Sequence, residues 1–200
     1  MKHMRLLLVP VLWAALALPA LADKIPLADL SRYLNGLDTA QGEFTQINAD
    51  GTISTGTIYI KRPGRVRFEY NPPDANLVLA GGGQVAIFDS RSNGLPDQFP
   101  LARTPLNLIL AANIDLGRAK MVVGHTSDAT TTTVQAQDPE HAEYGSIDLV
   151  FTADPVELRQ WVITDDSGSQ TTVILGDLKK GMSFAPSLFS ISAEVDNRVK

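Results

Sequence analysis

The chain has 200 residues, no cysteine, and 17 Lys and Arg against 22 Asp and Glu. The missing cysteine excludes a disulfide framework and a lipid anchor carried on a cysteine thioether. A net charge of −5 argues against nucleic acid, whose recognition needs clustered Lys and Arg, and against lasting adsorption to anionic lipid.

Lys2 and Arg5 open the chain, an apolar run follows from Leu6 to Leu18 broken by Pro10, and Ala20-Leu21-Ala22 gives a small-x-small cleavage pattern. These are the parts of a cleavable secretory signal over residues 1–22, and the apolar run is shorter than the roughly 20 residues a spanning helix needs. Residues 23–200 are then expected to form one domain. Losing Lys2 and Arg5 leaves 15 basic against 22 acidic side chains, a net −7.

Ile25 to Leu37 is predicted as a helix, with Pro26 in its first turn, a stripe of Leu27, Leu30, Leu34 and Leu37, and Gly36 as a permissive residue near its end. Strands begin near Gln41. Asp50-Gly51 is a turn, and Thr52 to Lys61 is rich in β-formers with Ile58 and Ile60 on one face. After Arg62-Pro63-Gly64, the residues Val66, Phe68 and Tyr70 alternate with Arg65, Arg67 and Glu69. Leu77 to Leu79 and Val85 to Phe88 are short strands joined by Gly81-Gly82-Gly83. Following an irregular stretch, Thr104 as N-cap and Pro105 as first residue start a second helix with Leu106, Ile109 and Leu110 on its apolar stripe. Further strands are expected over Lys120 to Val123, Ala129 to Ala136, Ser146 to Thr152, Glu157 to Thr164 and Gln170 to Gly176, with Asp165-Asp166-Ser167-Gly168 as the last turn.

Short strands at this spacing, with two helices, predict a mainly β fold: a strongly curved antiparallel sheet or incomplete barrel. Val85 to Phe88 and Thr171 to Leu175 are apolar on both faces, so something must cover the second face, and the two helices are the predicted cover. An apolar concave side under small helices is a ligand pocket as readily as a core.

Catalytic chemistry finds little support. His125 and His141 stand in polar, turn-like surroundings and read as surface residues without metal-ligand neighbours. The glycine run precedes a strand and lacks the Lys-Ser or Lys-Thr of a phosphate loop. Asp165-Asp166 reads as a turn, and the serines lack a nucleophile-elbow setting. No catalytic residue, metal or cofactor is expected. Arg65 and Arg67 read as a solvated basic strand face. Arg62 differs, because Pro63 fixes its backbone at a strand end, where a guanidinium can donate to carbonyls left unpaired at a helix C-terminus.

The ordered set Gly42-Glu43-Phe44-Thr45-Gln46, Gly56-Thr57-Ile58-Tyr59-Ile60-Lys61-Arg62-Pro63-Gly64 and Arg67-Phe68-Glu69-Tyr70 resembles the periplasmic lipoprotein carriers of the LolA type. The likeness continues through Pro73, Leu77-Val78, Thr104-Pro105-Leu106 and Leu158 to Gln170. It implies an incomplete antiparallel β-barrel with a helical lid over its apolar face, in a monomeric, non-enzymatic periplasmic chaperone. The cargo so implied is acylated lipoprotein, received from an inner-membrane ABC-type release complex and passed to an outer-membrane receptor or to the outer membrane directly. The resemblance makes Arg62 the lid latch and puts Phe68 at a position that is commonly tryptophan. The expected lipid-binding residues are Leu30, Leu34, Phe44, Ile58, Ile60, Phe68, Leu106 and Ile109. The C-terminal end departs from the family, with Phe189-Ser190-Ile191-Ser192-Ala193 in place of a Phe-x-Phe strand and a proline-rich tail. A carrier or sensor of the same fold for phospholipid or glycolipid is the alternative expectation.

Overall fold

The computed structural model describes residues 23–92, 94–118 and 120–198. The expected signal, residues 1–22, lies outside them. Helix α1 (Leu27–Asn35) forms around the leucine stripe and buries Leu30 and Leu34. It is shorter at both ends than predicted. Pro26 precedes it, and the Pro26 carbonyl accepts from the N–H groups of Asp29 and Leu30. Gly36 ends it with φ −77°, in the right-handed region, so a left-handed cap is not what stops it.

Strands β1 (Thr39–Ile47), β2 (Ile53–Lys61), β3 (Val66–Tyr70), β4 (Leu77–Gly81), β5 (Gln84–Phe88) and β6 (Asp97–Pro100) form a meander. Helix α2 (Leu106–Leu110) follows, and then β7 (Val122–Ser127), β8 (Thr131–Gln137), β9 (Ser146–Thr152), β10 (Glu157–Thr164) and β11 (Gln170–Leu175). Strand β11 returns beside β1, giving the order β6-β5-β4-β3-β2-β1-β11-β10-β9-β8-β7, with a short β12 (Lys179–Lys180) also on β1. The outermost strands, β6 and β7, do not pair with each other, so the antiparallel barrel is incomplete, as the strand pattern predicts.

Alternation decides the two faces. Ile58 lies opposite Phe68, and Trp161 opposite both Val173 and Leu149, all inside the curve. Gly56 lets the sheet close tightly there. A Cβ at that position would lie 2.1 Å from the Glu69 carbonyl oxygen and 2.8 Å from the Phe44 ring. Phe44 fills the space instead, edge to face with Tyr70 at 5.1 Å and Phe68 at 5.3 Å.

The predicted cover of the second face is corrected in part. Ala86 and Phe88 point outward with Leu77 and Leu79, and they pack under a 3₁₀ turn (Pro186–Phe189) and a third helix, α3 (Ile191–Arg198). Helices α1 and α2 cover only the inside. On β11 the inward Val173 and Leu175 are buried while Ile174 is exposed, the ordinary pattern of a sheet wet on one side. The solvated reading of Arg67 is also corrected. Its side chain is only 11% exposed and pairs with Glu69 at 2.6 Å and Glu194 at 3.0 Å, pinning α3 to β3. Arg65 donates to the Lys61 carbonyl at 3.2 Å, within its own turn.

Candidate functional site

The hollow of the sheet is closed by α1 and α2, and one loop holds both. Strand β2 runs out at Lys61, and the chain turns through Arg62-Pro63-Gly64-Arg65, with Lys61 N–H donating to the Arg65 carbonyl at 3.0 Å. Gly64 has φ +69°, a conformation that favours glycine, and this aims its N–H at the Leu110 carbonyl at 2.8 Å. The Arg62 N–H is fixed to the Asp38 carbonyl at 2.8 Å.

From that anchored backbone the Arg62 guanidinium reaches under both helices. Nη1 donates to the Leu34 carbonyl in the last turn of α1. Nε and Nη2 donate to the Ala111 carbonyl just past α2, at 3.2 and 2.5 Å, and Nη2 also donates to Asn35 Oδ1 at 3.2 Å. These acceptors include carbonyls that helix ends leave unpaired. Arg62 is buried and forms no ion pair among the described residues. Burial pulls its pKa below the ordinary arginine value, with Asp38 opposing that shift. The hydrogen bonds from that charge therefore go to backbone carbonyls and the Asn35 amide oxygen, with no direct carboxylate contact among the described residues.

Other polar ties lock the lid to itself. Asn35 donates to the Ile114 carbonyl at 2.8 Å and accepts from Ile114 N–H at 3.0 Å, while Ser31 Oγ accepts from Leu116 N–H at 3.0 Å. The sequence reading missed Ser31 and Asn35. The available signal was a polar residue set inside, or at the end of, an apolar helical stripe. Thr104 does not cap α2, since its hydroxyl donates back to the Leu101 carbonyl at 2.9 Å.

All eight residues expected to line the hollow come together in one buried cluster. Leu30, Leu34, Leu106 and Ile109 enter from the lid, and Phe44, Ile58, Ile60 and Phe68 from the sheet. The side chains of this cluster occupy the hollow beneath α1 and α2. At the end the lid does not reach, Tyr70, Val78 and Ile87 floor a cleft of about 550 Å³ with Gln46, Ser54 and Asp74 among its polar walls.

Neither His125 nor His141 sits among metal ligands, and no three His, Asp or Glu side chains of the described residues converge on one point. His141 is paired on the surface with Glu143 at 2.9 Å. His125 is only half-exposed. Its Nε2 meets the Ile25 carbonyl at 3.0 Å, while Ile25 N–H donates to Thr132 Oγ1 at 3.1 Å, so it clips the chain before α1 to β7 and β8.

An unclosed antiparallel barrel whose apolar hollow is shut by two helices, both pinned through one buried arginine, is a lidded-bowl protein. Residues 35–192 match the family described as Outer membrane lipoprotein carrier protein LolA, and the chain belongs to that family. A relative from Methylococcus capsulatus, named an outer-membrane lipoprotein carrier protein, is 23% identical over 187 residues, covering 86% of this chain and 85% of the relative. One from Xylella fastidiosa with the same name is 40% identical over 73 residues, 34% of this chain and 35% of its own. Among solved structures, a DUF1329 family protein from Desulfovibrio piger shares the fold, with TM-score 0.50 and 12% identity over 84% of this chain and 95% of that one. No helix among the described residues is long and apolar enough to cross a membrane.

Proposed function

We propose that the protein carries lipoproteins through the periplasm, taking their acyl chains into the hollow beneath α1 and α2. Each CH₂ of an acyl chain left in water costs about 0.8 kcal/mol, so a multiply acylated protein needs a shelter to leave a bilayer. The observation that carries this reading is the Arg62 latch. A cover fastened through carbonyl contacts can be released without breaking the sheet, and its bonds can be exchanged for water. Leu30, Leu34, Leu106 and Ile109 withdraw with the lid, and acyl chains replace them against Phe44, Ile58, Ile60 and Phe68. The cleft floored by Tyr70, Val78 and Ile87 offers an entrance at the uncovered end. An inner-membrane ABC-type complex supplies the cargo, and an outer-membrane receptor or the membrane itself accepts it. Family membership and the names of the relatives support this assignment.

The test mixes the signal-free protein with membranes loaded with lipoprotein, the release complex and ATP. A soluble one-to-one complex is expected. Cargo found only in the membrane pellet overturns the reading, and mass spectrometry of lipid bound to protein purified from periplasm identifies any other occupant.

A further inference from the structure

Among the described residues, the hollow holds a polar donor left without a partner. Trp161, on β10, is 1% exposed, and among the described residues its indole Nε1–H finds no acceptor. Its surroundings are apolar: Leu149 and Val173 are its cross-strand partners, and Phe68 stands edge to face at 6.2 Å. Buried N–H groups almost always find a partner, because an orphan forfeits its hydrogen bond to water with nothing in return. A ring face is a weak substitute for a carbonyl oxygen.

We infer that Trp161 is a specificity-determining residue, whose indole N–H donates to an ester carbonyl of the acylated cargo when the lid opens. This rests on the carrier reading above. The chemistry favours an ester over an amide. An ester carbonyl accepts one hydrogen bond and brings no donor of its own, whereas an amide would carry a second N–H into a wall of Leu149, Val173 and Phe68 that cannot receive it. Pure hydrocarbon would leave the indole as unpaired as it is in the closed form. The bond thus rewards occupancy by the head of an acyl chain rather than by any grease, and it sets the depth at which the ester stops.

The test uses two probes: a short peptide whose N-terminal cysteine carries two palmitoyl chains through glycerol ester bonds, and the same peptide with ether-linked chains. Trp161 is its own reporter, since the other tryptophan, Trp13, belongs to the expected signal. The signal-free wild type is expected to bind the ester probe up to about tenfold more tightly than the ether probe, the worth of one well-placed hydrogen bond. Only the ester probe should shift Trp161 emission toward the red as the indole gains an acceptor. Trp161→Phe, checked for folding by circular dichroism, should bind both probes alike. Equal binding and equal emission in wild type overturn the inference while leaving carriage intact, as does an ester preference that survives in Trp161→Phe. Failure of wild type to bind either probe removes the carrier reading, and this inference falls with it.

Discussion

Phe68 and Trp161 touch edge to face at 6.2 Å although β2, β1 and β11 lie between their strands in the sheet. The contact measures how tightly the sheet curls. It also continues a line of perpendicular rings, Tyr70 to Phe44 to Phe68 to Trp161, across the floor of the hollow.

Phe68→Ala breaks that line at its centre. The loss of ring burial together with the void left behind should cost roughly 3–5 kcal/mol. Urea denaturation followed by Trp161 fluorescence measures this. A loss below about 1 kcal/mol would mean that the rings do not support one another as described.

Arg62→Leu should separate the latch from the fold. The substitution frees the lid carbonyls of Leu34 and Ala111, but it also removes a buried charge that forms no ion pair among the described residues and that Asp38 offsets only in part. These effects oppose each other, so the net stability change is expected to stay within about 2 kcal/mol. Hydrogen exchange should quicken over residues 27–37 and 105–116 while β1 and β10 keep their protection. Transfer of cargo should slow by more than the stability change explains. Unchanged lid exchange, or a normal transfer rate, rejects the latch.

The strap formed by α3 should respond to acid. Burial raises the pKa of Glu194, but its bonds to Arg198 and Arg67 outweigh that and leave the carboxyl below the ordinary glutamate value. A depressed folded pKa stabilises above the unfolded value, about 4.3, and the contribution is lost as pH falls through the lower folded value. Once the intrinsic slowing of amide exchange in acid is divided out, the protection of residues 186–198 should therefore fall below about pH 4. Glu194→Gln should already show the lowered protection at neutral pH, and a pH-independent strap contradicts the assignment.

Tyr70 gives the opposite limit. Burial pushes its pKa up to about 12, against the lowering effect of its 2.7 Å hydrogen bond to Gln46, with Asp74 adding to the rise. A raised folded pKa contributes stability that is present below the ordinary value near 10 and lost as pH climbs through 12. Burial also holds Tyr33 and Tyr59 above the ordinary value, so absorbance at 295 nm should show Tyr70 as the last phenol to ionise, near the alkaline unfolding transition, and Tyr70→Phe should abolish that last step. Ionisation of every tyrosine by pH 10.5 would place Tyr70 in solvent, contrary to the structure.

The inside of the bowl was legible because period-two and helical stripes both register burial. Ile58, Phe68, Leu30 and Ile109 each repeat at the spacing of their element, and the structure brings them together. Arg62 could be singled out because a proline fixes its backbone. The outside was harder to read. Strand β6, all four residues of it exposed, carries no alternation, and α3 buries none of its residues fully, so neither has a strong apolar period. Arg67 looked solvated because its partner Glu194 lies 127 positions away in sequence. Local pattern cannot foresee such a pairing. Trp161 escaped notice because an unpaired donor becomes visible only when every neighbour is placed.

The free edges at β6 and β7 have a mechanical consequence. A closed barrel fixes its girth through a continuous ring of ladder bonds, and swelling it means tearing some of them. Among the described residues this sheet has no such ring, so its rims are free to separate while every strand keeps its neighbours. Under the carriage proposed above, a container built this way needs no fixed internal volume.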